Sequence, residues 1–415
     1  MILSKKSIKE ISFDHYILYL MIAYAFILPI SRAGISILTA ILSLMWLFDK
    51  NLKERFLSLL NIKVIVALFA FIGVLILSLI WSTNLEEGLH TLRRYWYLLI
   101  ILPFVSYIKA SDIAKIISAF LLGMAISEII SYGVFFELWS TKHSSPNDPT
   151  PFMNHLQYSM FLAFVSLLLL NRVFFSQNNL HKIGYFLYFL FTTSNLFING
   201  GRTGQVAFIV GIVTVGLLNI KHKLLAVGVI IVLSIAIFSS AYQFSHVFQA
   251  RANQTFSTIK KFTSQNDNRF QTSFGARVAS WTVATKLLQD NPILGTGLGS
   301  EMDALKEKID TKNIKLFKHP LIYNIVNYHN DYISYTVSVG VVGLILYLSI
   351  FITIAMLKIQ NREINNLKYI FIAVFMTSTM FEQMFSAQFP IALFALFSGI
   401  FISSSITRNN TDEKN

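Results

Sequence analysis

The sequence predicts an all-α polytopic membrane protein of about twelve transmembrane helices, with one large extramembrane loop between the ninth and tenth. Three observations predict it. Apolar stretches long enough to cross a hydrocarbon core of ~30 Å as helices recur along almost the whole chain. Only 13% of the 415 residues are charged, against 54% hydrophobic, where soluble domains carry roughly 25% charged. The basic residues of the short loops also alternate in density from one loop to the next, as they do when topology is held by positive charge. A β-barrel would instead show short segments of alternating polarity, and none is evident.

The spans read as 14–30, 33–48, 62–81, 94–108, 113–137, 155–175, 181–199, 203–220, 222–241, 329–357, 368–386 and 388–406. Lys5, Lys6 and Lys9 precede the first, but no small-residue cleavage site follows it, so that helix is expected to stay. With the N-terminus inside, the inner segments hold eighteen basic residues. The short outer loops hold five: Arg32, Arg93, Arg94, Lys142 and Arg202. That asymmetry predicts both termini inside and the long loop, 242–328, outside. The organisation is then residues 1–241 for helices one to nine, 242–328 for the loop with its short helices, 329–406 for helices ten to twelve and 407–415 for a polar cytoplasmic tail. The net charge of +13 is explained by these loops and calls for no nucleic-acid partner. Cysteine is absent, which excludes disulfides and thiolate metal sites. No His, Asp or Glu group has metal-ligand spacing, so neither a metal nor another cofactor is expected.

Three constellations on the outer side carry possible chemistry. The first is Asn199-Gly200-Gly201-Arg202-Thr203-Gly204-Gln205. Its glycines permit a tight turn, Thr203 can cap the following helix, and a guanidinium beside a helix N-terminus suits phosphate oxygens. The plainer reading is a turn whose arginine reaches lipid headgroups. The second is Phe274-Gly275-Ala276-Arg277, then Trp281, then the Gly-rich run that follows Pro292 and holds Gly295, Gly297 and Gly299. Residues 277–288 read as an amphipathic helix with Val278, Trp281, Ala284, Thr285 and Leu288 along its stripe. The plainer reading makes Arg277 a solvated helix residue and the glycines loop-shapers. The third is Tyr328-His329-Asn330-Asp331-Tyr332, leading to Gly340 and Gly343. A histidine where the loop re-enters the membrane can take a proton from a hydroxyl; equally, it can simply hydrogen-bond there. The two glycines are expected to allow close helix contact. Arg93 and Arg94, at the outer start of the span 94–108, and Glu382, near the outer end of the span 368–386, are further candidates for substrate contact. Glu128, mid-span, and His155 and Gln157 are expected to serve packing or interfacial roles.

In order and position these motifs resemble the O-antigen ligase and polymerase superfamily over about Asn199 to Leu348. The resemblance implies a glycosyltransferase of the membrane-embedded GT-C type, in the bacterial inner membrane with its site on the periplasmic face. It implies an O-antigen ligase, moving a glycan from undecaprenyl diphosphate to a lipid A–core sugar by metal-independent inverting transfer. By position, Arg202 and Arg277 would bind the diphosphate and His329 would be the general base. One departure is Ser338, where many relatives carry glutamate. An O-antigen or exopolysaccharide polymerase, and a protein O-oligosaccharyltransferase, remain open as enzyme alternatives. A transporter of lipid-linked glycan fits less well, since transporters favour ionisable groups near the midplane and here only Glu128 is central.

Overall fold

The computed structural model describes residues 13–142, 144–220, scattered positions between 222 and 257, 273–312 and 327–406. Numbered in chain order, its α-helices are α1 (Phe13–Ile27), α2 (Arg32–Leu47), α3 (Leu52–Leu60), α4 (Lys63–Ser78), α5 (Leu85–Arg93), α6 (Ile101–Tyr107), α7 (Ala110–Phe135), α8 (His155–Phe175), α9 (Asn179–Ile198), α10 (Arg202–Asn219), α11 (Ser273–Leu288), α12 (Glu301–Lys312), α13 (Asp331–Ala355), α14 (Arg362–Thr379) and α15 (Gln388–Ile406). Two 3₁₀ segments, Leu79–Trp81 and Arg94–Ile100, join them. The chain is thus all-α, as the apolar runs predict.

Among the described residues, six helical segments are long and apolar enough to cross a membrane: Lys63–Trp81, Ala110–Phe135, His155–Phe175, Arg202–Asn219, Asp331–Ala355 and Gln388–Ile406. The pair α2 and α3, bent by 106°, would make a seventh. The other expected spans are shorter or more polar. Helix α1 has 15 residues. Polar residues at 192–195 dilute α9, and Arg362, Glu363 and Lys368 dilute α14. The expected span 94–108 is not one helix: it is 3₁₀ to Ile100 and α-helical from Ile101. Pro103 in it has no N–H to donate back to Leu99, which removes one α-type bond at the join. The expected span 222–241 and the tail 407–415 lie largely or wholly outside the described residues.

Helix α15 is the axis of the bundle, with 83% of its apolar window buried. The helices around it expose large apolar side chains such as Ile37, Leu122, Leu187 and Ile352, the surface a lipid phase would cover. Small residues set the closest approach. A Cβ on Gly201 or Gly204 would overlap α8 at Ser159, and one on Gly211 would meet Leu167, so α10 lies directly against α8.

Polar contacts gather in two groups. In one, Arg55 pairs with Asp49 at 3.1 Å and Arg172 with Glu363 at 3.4 Å. In the other, Gln388 donates to the Arg32 carbonyl at 2.8 Å, and Asn84 donates to Asp303 at 2.8 Å. His329 meets Glu382 in this second group.

Helix α13 breaks at Gly340, whose φ of 70° and ψ of −168° depart from the helix. The Gly-rich loop fills the break. Thr296 and Gly297 donate their amides to the carbonyls of Val337 and Ser338 at 2.8 and 2.9 Å, and Val341 donates to the Pro292 carbonyl at 2.9 Å. A Cβ on Gly340 would overlap the Ile293 carbonyl. Gly340 therefore serves a loop contact, not the helix contact expected of it, while a Cβ on Gly343 would meet its own helix at Val339. Gly295, Gly297 and Gly299 all have positive φ (69°, 90° and 89°), which is why the run needs glycine at alternate positions. The same loop also ties to the end of the neighbouring α4, where Ser82 Oγ donates to the Leu298 carbonyl at 2.8 Å.

Candidate active site

The site begins at the junction of loop and membrane helix. Asn330 caps α13 by accepting from the Ile333 amide at 3.0 Å, and its side-chain amide donates to the Met380 carbonyl at 2.9 Å. The chain just before the cap is turned sharply: His329 has a φ of 47°, in the left-handed region that only a few per cent of non-glycine residues adopt, histidine more readily than most. The His329 amide donates to Asn327 Oδ1 at 3.0 Å, and Trp281 Nε1 donates to the Tyr328 carbonyl at 3.0 Å. Held on both sides, the turn leaves the imidazole with 41% of its side chain exposed, open to a substrate. A strained backbone fixed this firmly is a mark of a functional position.

Glu382 is the group the imidazole meets. Its Oε2 lies 2.9 Å from His329 Nδ1 and 4.0 Å from an Arg277 Nη2. The sequence places Glu382 in a helix over 368–386; instead α14 ends at Thr379, and residues 380–387 form a tight turn before α15. Leaving the helix is what lets the carboxylate face both bases. Asp331 holds that turn, accepting from the amides of Met384 and Phe385 at 3.0 and 2.8 Å. Phe385 in turn packs edge-on against Phe394 at 4.8 Å and Tyr347 at 5.4 Å. Gln383 donates to Ser334.

Arg277 comes from α11. The buried face of that helix is Ala279, Ser280, Val283, Ala284 and Leu287, packed with Leu305, Tyr328 and Val337. The stripe expected at 278, 281, 284, 285 and 288 is displaced by about one residue, and Thr285 is exposed. The reason is that Trp281 is used for its N–H as well as its ring: it reaches sideways to the Tyr328 carbonyl. Arg277 sits one turn before it, i and i+4, on the same side of the helix. Its Nε is buried without a hydrogen-bond partner. Burial lowers its pKa from the ordinary arginine value, and Glu382 opposes that shift. A desolvated guanidinium with an unused donor is suited to an anion.

Arg202 is the first residue of α10, half-buried, with Gly201 at the N-cap. The cap therefore is not Thr203, which lies inside the first turn. Asn199 makes the local bond instead, accepting from the Gly201 amide at 2.8 Å. The helix start and the guanidinium thus coincide, as expected for an anion-binding position. Arg93 and Arg94 are exposed; Arg94 lies 3.4 Å from His90 Nδ1 and lines a cavity of about 660 Å³ that also includes Glu301, Tyr328 and Gln383. Glu128 is buried at mid-span, where Tyr188 donates to it at 3.4 Å, and His155 pairs with Asp148 at 3.3 Å. Neither joins the His329 group through any of these bonds.

Sequence reasoning assigned nothing to Asp331 and treated Glu382 as one substrate contact among several. It also missed Glu301, a half-buried carboxylate at the start of α12 to which Ser338 donates. The signals were slight: an acidic residue two positions after the histidine, and one two positions after the last of three alternate left-handed glycines.

Over 309 residues the chain is 22% identical to an uncharacterized protein of Haemophilus influenzae, covering 74% of this chain and 75% of that one. Residues 187–348 match the family model described as O-Antigen ligase, a stretch holding Arg202, Arg277 and His329, so the chain carries an O-antigen ligase family domain.

Proposed function

We propose that the protein is an O-antigen ligase of the bacterial inner membrane. On this reading it spans the membrane about twelve times in a GT-C-type arrangement, with both termini cytoplasmic and the loop 242–328 in the periplasm. It transfers a glycan from undecaprenyl diphosphate to a sugar of lipid A–core. The observation that carries the proposal is the shared carboxylate: Glu382 Oε2 is 2.9 Å from His329 Nδ1 and 4.0 Å from Arg277.

The chemistry follows from that geometry. His329 Nδ1–H donates a hydrogen bond to Glu382, which leaves Nε2 as the basic nitrogen of the imidazole. Nε2 takes the proton of the acceptor hydroxyl as its oxygen attacks the anomeric carbon from the face opposite the diphosphate. The bond from that carbon to the diphosphate oxygen breaks, and the configuration inverts. The leaving diphosphate gathers negative charge, which Arg277 and Arg202 stabilise. The imidazolium formed is stabilised by Glu382 until its proton is lost to water.

The test is glycan transfer by purified full-length protein in vesicles, with lipid-linked glycan as donor and either lipid A–core or a second lipid-linked glycan as acceptor. Product on core only is the expected result. Chain growth on the second lipid-linked glycan, without product on core, would make the protein a polymerase. Movement of donor across the vesicle membrane with no new glycosidic bond would reject enzymatic transfer altogether.

A further inference from the structure

The cavity of about 660 Å³ adjoins the His329 group at two places in the chain. Asn327 and Tyr328, immediately before His329, line it, and so does Gln383, immediately after Glu382. The opposite wall comes from elements that the reaction above does not use: Asn84, Thr91 and Arg94 around α5, and Glu301 and Asp303 at the start of α12. Neither Arg202 nor Arg277 is among its lining residues.

The lining selects by charge. It carries Glu87, Glu301, Asp303 and Asp331 against Arg94 and Lys306. Four carboxylic acids against two cations disfavour a diphosphate, whose place is beside the arginines. A saccharide finds the opposite: amides, carboxylates and hydroxyls able to accept and donate to its hydroxyl groups. Tyr328 supplies a further handle, since its hydroxyl oxygen is buried and has no hydrogen-bond partner while the residue is only 1% exposed. Buried polar groups are rarely left so. An apolar groove of about 240 Å³ shares Tyr95 with the cavity and runs along Leu92, Trp96 and Leu99 to Phe69 and Ile72. Polar chamber and apolar groove thus meet on one stretch of backbone, residues 91–99, the form that a sugar headgroup with a lipid anchor would fill.

We infer that this cavity is the acceptor seat, and that its occupant is the saccharide head of the core lipid, with the lipid anchor lying along the groove. The inference rests on the glycan-transfer reading and adds to it a physical separation of the substrates. The donor diphosphate belongs on the arginine side of the His329–Glu382 pair and the acceptor hydroxyl on the Gln383 side.

Two variants of the full chain test it. Thr91→Trp fills the chamber from a half-buried position with no described side-chain hydrogen bond to lose. Tyr328→Phe removes one hydroxyl and keeps the ring. Three quantities are read in vesicles: KM for lipid A–core, KM for the lipid-linked donor, and binding of the delipidated core saccharide without donor. Tyr328→Phe is expected to raise the acceptor KM about tenfold, the loss of one hydrogen bond, with the donor KM unchanged. Thr91→Trp is expected to abolish saccharide binding. A rise in donor KM alone would give the cavity to the donor and overturn the inference. So would unchanged constants in both variants, or a wild type that does not bind the saccharide. If only a second lipid-linked glycan shows the acceptor effect, the core lipid is not the occupant. A wild type that binds core saccharide but forms no glycosidic bond would leave the seat standing and remove the transferase reading.

Discussion

Glu382 divides its charge between an imidazole at 2.9 Å and a guanidinium at 4.0 Å, and the two contacts differ in kind. The first is a hydrogen bond that selects a tautomer; the second is a longer ion pair that a bound anion can replace. Glu382→Gln should keep the contact to His329 but lose the charge that stabilises an imidazolium. His329→Ala removes the base itself. Transfer rates of purified variants are expected to fall by roughly 10²–10⁴-fold for His329→Ala, and by less for Glu382→Gln, with the lost step visible in kcat rather than in donor KM. Arg277→Ala should weaken both donor binding and rate, by about 10²–10³-fold in kcat if it acts on the leaving group. Wild-type transfer by any of the three, with normal membrane insertion, would remove that residue from the mechanism. The histidine and arginines could be picked out in the sequence because each sits in a short motif of glycines and asparagines. Glu382 could not be paired with His329 there, because 53 residues and two helices separate them.

Among the elements, α13 and the Gly-rich loop form one unit. The loop amides of Thr296 and Gly297 occupy carbonyls that a continuous helix would have used for its own ladder. Gly340→Ala must place a side chain at φ 70° and against the Ile293 carbonyl. It is expected to lower the thermal unfolding midpoint and abolish activity. Gly73→Ala in α4, where nothing lies within 4 Å of the new methyl, should leave both unchanged. Glu301, next to that loop, has a pKa raised by burial, against which the Ser338 hydrogen bond works. A carboxyl held above its unfolded value of about 4.3 contributes stability that is complete below that pH and is lost as pH rises through the folded value. Glu301→Gln has no such slope. Its thermal midpoint should meet the wild type at acid pH and exceed it on the alkaline side, and a constant offset at every pH would refute the assignment. From sequence the loop could be recognised as a turn, because alternate glycines allow little else. That it plugs a helix break could not, because Gly340 reads equally well as a helix-packing position. The face of α11 was misjudged by about one residue for a similar reason. Tryptophan is weighed as apolar in a periodicity, whereas here its N–H decides where the ring points.

For the molecule as a whole, the composition identified a membrane protein, and its polar contacts gather in two groups. The absence of cysteine allows a clean test of which end faces the periplasm. Single replacements Lys142→Cys and Lys358→Cys should react with an impermeant maleimide in opposite compartments, the first from outside intact spheroplasts and the second only after the membrane is opened. Reaction of both from the same side would reject the proposed topology. The start of α8 was legible, because Asn154, which accepts from the Gln157 amide at 2.9 Å, directly precedes the apolar run. The start of α14 was not, because Arg362, Glu363 and Lys368 follow its cap Asn361, which accepts from the Ile364 amide at 3.1 Å, and delay the apolar run that the reading from 368 relied on. Nor were boundaries legible where the chain stays apolar through a change of helix type, as at Arg94–Ile100.

The loop that stitches Ser82 to Leu298 and Thr296 to Val337 joins stretches made early and late on the ribosome. Glu382, in turn, is synthesised 53 residues after the histidine it serves. During translation the first helices enter the bilayer with their share of the site still incomplete, and the histidine waits without its carboxylate until the last hairpin has been inserted. A nascent chain halted before residue 382 would therefore hold its histidine without the carboxylate that fixes the imidazole, and the pair would be complete only with the final hairpin.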